Sequence, residues 1–339
     1  MFRGWFYKLF GFREGSYAST KKRFQWRPPM LISTVNGRAF DTGVFEVKSL
    51  AELRREGLAA WQASGLPPGR LTLDHVAIGD VFEMHSDVHN HGATFQVASQ
   101  FNCLEFPDAH ITPEMGVSSY DSDPTQGPAC SLAAAAGTVV RNYFAVTNGK
   151  EGQTANNQLN NLDDLEAALG PLWSVRNGYT HSSSKALARL PAAIAKVGRD
   201  ALLPLIKVGV HQDVGVTFSD RYTPLPDDCD QKVTQVFCSA ISCGYSGQSN
   251  REWAPLATMV LDACYEATLW AALMNRVRNQ DKPGCRTVWL TAVGGGVFGN
   301  DPRWISSAID RARLALPQNC DLEVHVGRYT PTSACCTIS

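Results

Sequence analysis

The sequence predicts an α/β fold: one large domain with an N-terminal α+β elaboration, or two tightly joined domains. Three observations support this. The 339 residues are 44% hydrophobic with a formal net charge of −1, enough apolar material for a substantial core. Beyond residue 200, β-branched runs alternate with stretches of helical apolar spacing. Residues 287–314 read as strand, glycine loop and helix in direct succession. The expected organisation is an N-terminal extension over 1–80 packed on a core domain over 81–330, followed by a tail over 331–339.

The near-zero net charge argues against nucleic acid as a partner. The ten cysteines show no CxxC pair and no zinc-ligand spacing, so they read as reduced thiols in a cytoplasmic chain. The eight histidines do not cluster, and neither a metal nor a cofactor is expected. No apolar run is read as long enough to span a bilayer.

At the N-terminus, Phe2, Trp5, Phe6, Leu9 and Phe10 share one helical face, with Arg3, Lys8 and Arg13 around it. The basic residues interrupt the apolar stretch, which excludes a secretory signal. Such a face lies on a membrane surface or packs on its own domain, and packing is preferred. Residues 30–35, the Asn36-Gly37 turn and residues 40–47 then read as a hairpin. A helix over 49–64 follows, closed by Pro67-Pro68-Gly69.

Residues 93–106 begin as a strand and end in polar groups, with Asn102 and Glu105 at the strand end, where open α/β sheets bind ligands. Loop capping is the competing reading for both residues. Thr125-Gln126-Gly127-Pro128-Ala129 leads into an alanine-rich helix. Proline there loses no hydrogen bond, and the small residues allow close approach to a sheet or a ligand. This is a candidate phosphate cradle at a helix N-terminus.

Residues 148–200 are polar and then helical, with a turn at Asn177-Gly178-Tyr179. Residues 206–218 read as a strand carrying Asp213, and a carboxylate within a β-branched run needs a reason. Asp220, Asp227, Asp228 and Asp230 follow in a turn-rich stretch. A strand over 233–241 and a long helix over 253–278 lead to the strand at 287–293.

That strand enters Gly294-Gly295-Gly296-Val297-Phe298-Gly299-Asn300 and then a helix. Four glycines in six residues exceed what a tight turn needs, which favours a loop whose main-chain N–H groups meet an anion. The letters also satisfy G-x-G-x-x-G. Only one helix and one strand remain after it, too few for a dinucleotide-binding half, so that reading is set aside. Two cradles together suggest a diphosphate.

The order of strand ending in asparagine, glycine loop, alanine-rich helix and second glycine loop resembles a macrodomain. Residues 95–106 and Thr125-Gln126-Gly127-Pro128-Ala129-Cys130 resemble more closely the atypical, MavL-like ADP-ribosylhydrolases of that superfamily, as does Leu9-Phe10-Gly11-Phe12. The resemblance implies a three-layer α/β/α fold with a mixed central sheet. It implies an ADP-ribose site formed by Asn102, Thr125, Gln126, Gly127, Pro128, Ala129, Gly294, Gly295, Gly296, Val297, Phe298, Gly299 and Asn300. The implied reaction removes ADP-ribose from modified protein side chains, arginine-linked above all, with ubiquitin among the implied protein substrates. The resemblance makes Asp213 the first catalytic candidate, with Asp220 and Asp230 weaker transfers; should Asp213 not be the reacting group, Asp220 or Glu105, the acid at the strand end, comes next. The glycine loop lacks the paired glutamates of poly(ADP-ribose) glycohydrolases, which argues against chain-end cleavage of the polymer. A non-catalytic ADP-ribose reader and a hydrolase of another nucleotide-diphosphate substrate are the competing classes.

The last residues, Cys335-Cys336-Thr337-Ile338-Ser339, fit a C-a-a-X box with lipid on Cys336 and a second on Cys335. That pattern adds an expectation of membrane association through the C-terminus.

Overall fold

A computed structural model describes residues 4–329. The lipidation candidates Cys335 and Cys336, and Phe2 of the aromatic face, lie outside the described residues.

The helix Trp5–Phe10 (α1) buries Trp5, Phe6, Leu9 and Phe10. Phe6, Phe10, Phe12 and Phe24 meet edge to face or tilted, with ring centroids 4.9–6.1 Å apart. Burying each such side chain is worth about 1.5–3 kcal/mol, so this face is committed to the core and not to a membrane surface.

Phe24–Arg27 (β1), Met30–Ser33 (β2) and Ala39–Asp41 (β3) form a small antiparallel sheet. The Asn36-Gly37 hairpin is present, but its expected second strand divides. Gly43 takes φ +57°, and a Cβ there would lie 2.0 Å from the Gln212 carbonyl oxygen. The chain therefore breaks, and Val44–Ser49 (β4) joins a different sheet. Leu50–Ala63 (α2) begins at a capping box in which Ser49 and Glu52 satisfy each other's exposed N–H groups.

Four further elements lead to the site: Thr72–Ile78 (β5), Val81–Ser86 (α3), Thr94–Ala98 (β6) and Gln126–Ala133 (α4). Ala135–Tyr143 (α5), Lys207–Gly215 (β7) and Lys232–Cys238 (β8) come next. Asn250–Arg278 (α6), Thr287–Leu290 (β9), Pro302–Ala315 (α7) and Glu323–Tyr329 (β10) complete the set. The central sheet has seven strands in the order β4-β7-β8-β6-β9-β10-β5. β8, β6, β9, β10 and β5 are parallel, while β7 runs antiparallel to both β8 and β4. β4 and β5 both come from the first 80 residues, so the N-terminal segment and the remainder share one sheet.

Side chains alternate across the sheet as its period of two requires. Val208, Val210, Val236, Val288 and Val324 face α2, α6 and α7. Val97 and Phe237 face α1, α3, α4 and α5. The architecture is the expected three-layer α/β/α with a mixed central sheet. One correction concerns α6: at 29 residues, with a mean hydropathy of 1.2 over its most apolar 18, it is long and apolar enough to cross a membrane, contrary to expectation. Its apolar window is 94% buried inside the protein, which is how the core helix of a three-layer fold reads.

Candidate active site

The C-terminal ends of the parallel strands surround a cleft of about 730 Å3. Ala98 ends β6, Ala240 follows β8, Thr291 and Ala292 follow β9, and Gly327 and Arg328 end β10. Connections that diverge at this edge leave the space.

The first wall is the start of α4. The Gln126 side chain donates to the Gln96 carbonyl (2.8 Å) and accepts from the Ala98 N–H (2.9 Å), so it continues the β6 ladder. Gly127 is needed for packing, since a Cβ would stand 1.9 Å from the Ala98 carbonyl oxygen. The Thr125 hydroxyl donates to Asp123 (2.6 Å), and no side chain caps the helix. The N–H groups of Gln126 and Gly127 therefore lack intrahelical acceptors, at the positive end of the helix.

The glycine loop forms the facing wall. Gly294 and Gly299 have φ of +73° and +69°. Asn300 Nδ2 donates to Ile241 (2.8 Å) and Gly294 (3.3 Å) carbonyls, and Gly244 N–H donates to the Phe298 carbonyl (2.9 Å). Among the described residues, the amides of Gly296, Val297 and Phe298 have no backbone acceptor. A Cβ on Gly296 meets nothing within 4 Å, whereas one on Gly295 would press on Ile305 at 3.1 Å. Of the loop glycines that line the cleft, Gly294 and Gly296, only Gly296 has room for a Cβ.

Tyr179, Tyr245 and Phe298 stand together with centroids 5.3–5.7 Å apart and give the cleft an aromatic side. Among the described lining residues Arg328 is the one cation, and Glu105 and Asp123 are the acids.

Glu105 is the acid at the floor. It is 2% exposed. Its Oε2 accepts from the Ser131 hydroxyl (2.7 Å) and, at 3.5 Å, from Arg141 Nη2. Its Oε1 is buried without a partner. Burial pushes this carboxyl above the ordinary range, opposed by Arg141 and by the Ser131, Ser99 and Tyr120 hydroxyls. A carboxyl with one oxygen held and the other free can take or give a proton at the free oxygen.

Of the sequence candidates, Thr125, Gln126, Gly127, Pro128, Gly294, Gly296, Val297, Phe298 and Glu105 line the cleft. Asn102, Ala129, Gly295, Gly299 and Asn300 shape the walls from behind. Asn102 is fully buried, accepts from the Leu104 N–H (3.1 Å) and donates to Gln158 (2.8 Å), the loop role that competed with ligand binding. Asp213, the first catalytic candidate, does not line the cleft. It sits in a bulge with φ +53°, next to Val214, which pairs with Val233 at the start of β8. That is the opposite end of the parallel strands, roughly 20 Å along the sheet from the cleft. Its carboxylate is paired with Arg278 (2.7 Å) and Asn279 (2.6 Å), which is the reason a strand tolerates it. Asp220 lies outside the cleft as well, accepting from the Tyr222 (2.7 Å) and Thr223 (2.9 Å) N–H groups in its own turn. Asp230 pairs with Lys232 at 3.4 Å, at the same end as Asp213.

The residues missed by sequence reading are Gln100, Tyr179, Tyr245, Asp123 and Arg328. None of these carried a local signal; Arg141, which holds Glu105 and does not line the cleft, did, as a charge inside an apolar helix.

No family model and no curated protein matches the chain. Among solved structures it is similar to poly(ADP-ribose) glycohydrolase from Deinococcus radiodurans in complex with ADP-ribose. The identity is 12%, over 85% of this chain and 89% of that one, with a TM-score of 0.45. It is also similar to poly(ADP-ribose) glycohydrolase from Thermomonospora curvata, at 14% identity over 94% and 93% of the two chains, with a TM-score of 0.35.

Proposed function

We propose that this chain is an ADP-ribosylhydrolase whose active site is the cleft and whose reacting carboxyl is Glu105. The observation that carries the reading is Glu105 itself, a buried acid with one free oxygen, set between two walls of unpaired amides. The free amides of Gln126 and Gly127 on one side and of Gly296, Val297 and Phe298 on the other suit a diphosphate, with Arg328 supplying the compensating charge. Tyr245 and Phe298 offer ring faces to the nucleoside.

Hydrolysis breaks the bond between the anomeric carbon of the distal ribose and the side-chain nitrogen, through an oxocarbenium-like state. Glu105 Oε1 takes a proton from water as the water oxygen bonds to that carbon. The departing guanidine keeps the electron pair of the broken bond and takes a proton from solvent, and Glu105 gives the proton it took back to solvent, which restores the carboxylate. Binding energy from the diphosphate and adenosine holds the sugar over the acid. An arginine linkage is supported by the motif resemblance and by the Asp123 carboxylate at the cleft, which suits a cationic leaving group. The glycine loop carries no paired glutamates, which separates this site from chain-end cleavage of poly(ADP-ribose).

The test is release of ADP-ribose from arginine-, serine- and glutamate-linked ADP-ribosylated proteins, ubiquitin included, with calorimetric titration of free ADP-ribose beside it. Binding with release from the arginine-linked substrate is expected. Binding without release from any substrate would make the chain a reader, and no binding would remove the diphosphate assignment.

A further inference from the structure

We infer that Arg141 is a positioning residue for Glu105, fixing which carboxylate oxygen is held and which is left unpartnered, and favouring the ionised carboxylate; this rests on the hydrolase reading above. Arg141 is fully buried in α5. Its guanidinium lies over the Phe237 ring, 3.8 Å from the centroid. Nε donates to the Cys103 carbonyl (3.1 Å). Cys103 has φ +60° and sits in the turn that delivers Glu105, so one side chain grips both the turn and its carboxylate. Nη2 donates to Ser131 (2.8 Å) and Thr138 (3.0 Å), and Ser131 in turn donates to Glu105 Oε2. This holds Oε2 and leaves Oε1 without a partner.

His211 on β7 supports the guanidinium from behind. Its Nε2 meets the Thr42 carbonyl at 2.6 Å and its Nδ1 meets Arg141 Nη1 at 3.5 Å. Burial and the adjacent guanidinium lower its pKa to about 3, so the ring is neutral, donates from Nε2 and accepts at Nδ1. The other titratable groups facing Glu105 are the Tyr120 hydroxyl, the Cys130 thiol of α4 and the Cys103 thiol. Burial pushes all three upward, so they stay neutral near pH 7. Asp123 lies on the cleft wall. Among the described residues, Arg141 is therefore the permanent positive charge set against Glu105. Protonating Glu105 would leave that buried charge without its counter-ion.

The experiment is a carbon-13 titration of the Glu105 side-chain carboxyl, assigned by its loss in Glu105→Gln, in wild type, Arg141→Gln and Arg141→Lys. In Arg141→Gln the midpoint should rise by on the order of one pH unit or more, and in Arg141→Lys it should stay near wild type. The acidic limb of ADP-ribose release should move with it, whereas a merely structural role lowers the rate at every pH and leaves the limb in place. An unmoved carboxyl midpoint in folded Arg141→Gln overturns the inference. A measurement on wild type alone guards against a variant that fails to fold. The Arg141 side-chain nitrogen resonances should titrate with the Glu105 midpoint, and flat resonances across it overturn the inference equally. Should wild type release no ADP-ribose at any pH while these titrations behave as expected, the hydrolase reading fails and the Glu105–Arg141 coupling stands.

Discussion

Two acid–arginine pairs lie at opposite ends of the same sheet. Glu105 and Arg141 sit below the cleft, and Asp213 and Arg278 sit at the far edge. Both acids are local anomalies in apolar sequence, and both have a guanidinium partner. The difference lies in what remains unsatisfied. Asp213 has both oxygens occupied, by Arg278 and Asn279. Glu105 has one oxygen held and one buried without a partner, in a residue that lines a 730 Å3 cleft. A buried charge announces that it needs a partner; an incomplete partnership beside a cavity marks chemistry.

The largest expected effect sharpens the assignment of the cleft end. Gly296→Glu adds a Cβ that meets nothing within 4 Å, so the fold should survive, and brings a carboxylate to the glycine loop. Affinity for ADP-ribose should fall on the order of a thousandfold or more through like-charge repulsion. Calorimetry on the folded variant checks this, and unchanged affinity would remove the diphosphate from the loop. Gly127→Ala should do the reverse. Its Cβ would meet a backbone oxygen at 1.9 Å, and the variant should lose about 3 kcal/mol of stability in denaturant unfolding.

A pH series tests the buried network behind the cleft. His85 and His211 are buried neutral, with pKa lowered by burial to about 4 and about 3 from an ordinary 6.5. The unfolded chain binds these protons first, so stability is present above pH 6.5 and is lost as pH falls toward those values. Each pH unit below 6.5 should remove up to about 1.4 kcal/mol per histidine. His211→Gln should flatten that slope in unfolding measurements; an unchanged slope would mean that the ring is already charged in the fold. The smallest effect belongs to the far edge. Asp213→Asn breaks a half-exposed ion pair and should cost about 1 kcal/mol. A much larger loss would show that the bulge depends on the charge.

Much of the layout was legible in the sequence. The strand, glycine loop and helix after residue 287 were readable because a β-branched run and a helical period flank Gly294-Gly295-Gly296. The Gln126-Gly127-Pro128 helix start was readable for similar reasons. What the sequence left open was where each acid lies relative to the cleft. Asp213 and Glu105 look alike in one dimension, and only the sheet direction places one at the cleft and the other roughly 20 Å away. The edge strand Thr72–Ile78 escaped because its exposed positions, among them Asp74, which meets His325 at 2.6 Å, break the apolar pattern. Tyr179 and Tyr245 sit in turn-rich stretches, and nothing local to them says that they meet Phe298.

The central claim is that the chemistry belongs to Glu105 and not to Asp213. Single-turnover release of ADP-ribose from arginine-linked ADP-ribosylated protein, run side by side on wild type, Glu105→Gln and Asp213→Asn, tests it most directly. Glu105→Gln should slow release on the order of a hundredfold or more while ADP-ribose affinity changes only modestly. Asp213→Asn should stay within about threefold of wild type, as expected for a substitution outside the transition-state contacts. A Glu105→Gln protein that releases ADP-ribose at the wild-type rate, with Asp213→Asn inactive though folded, would contradict the account.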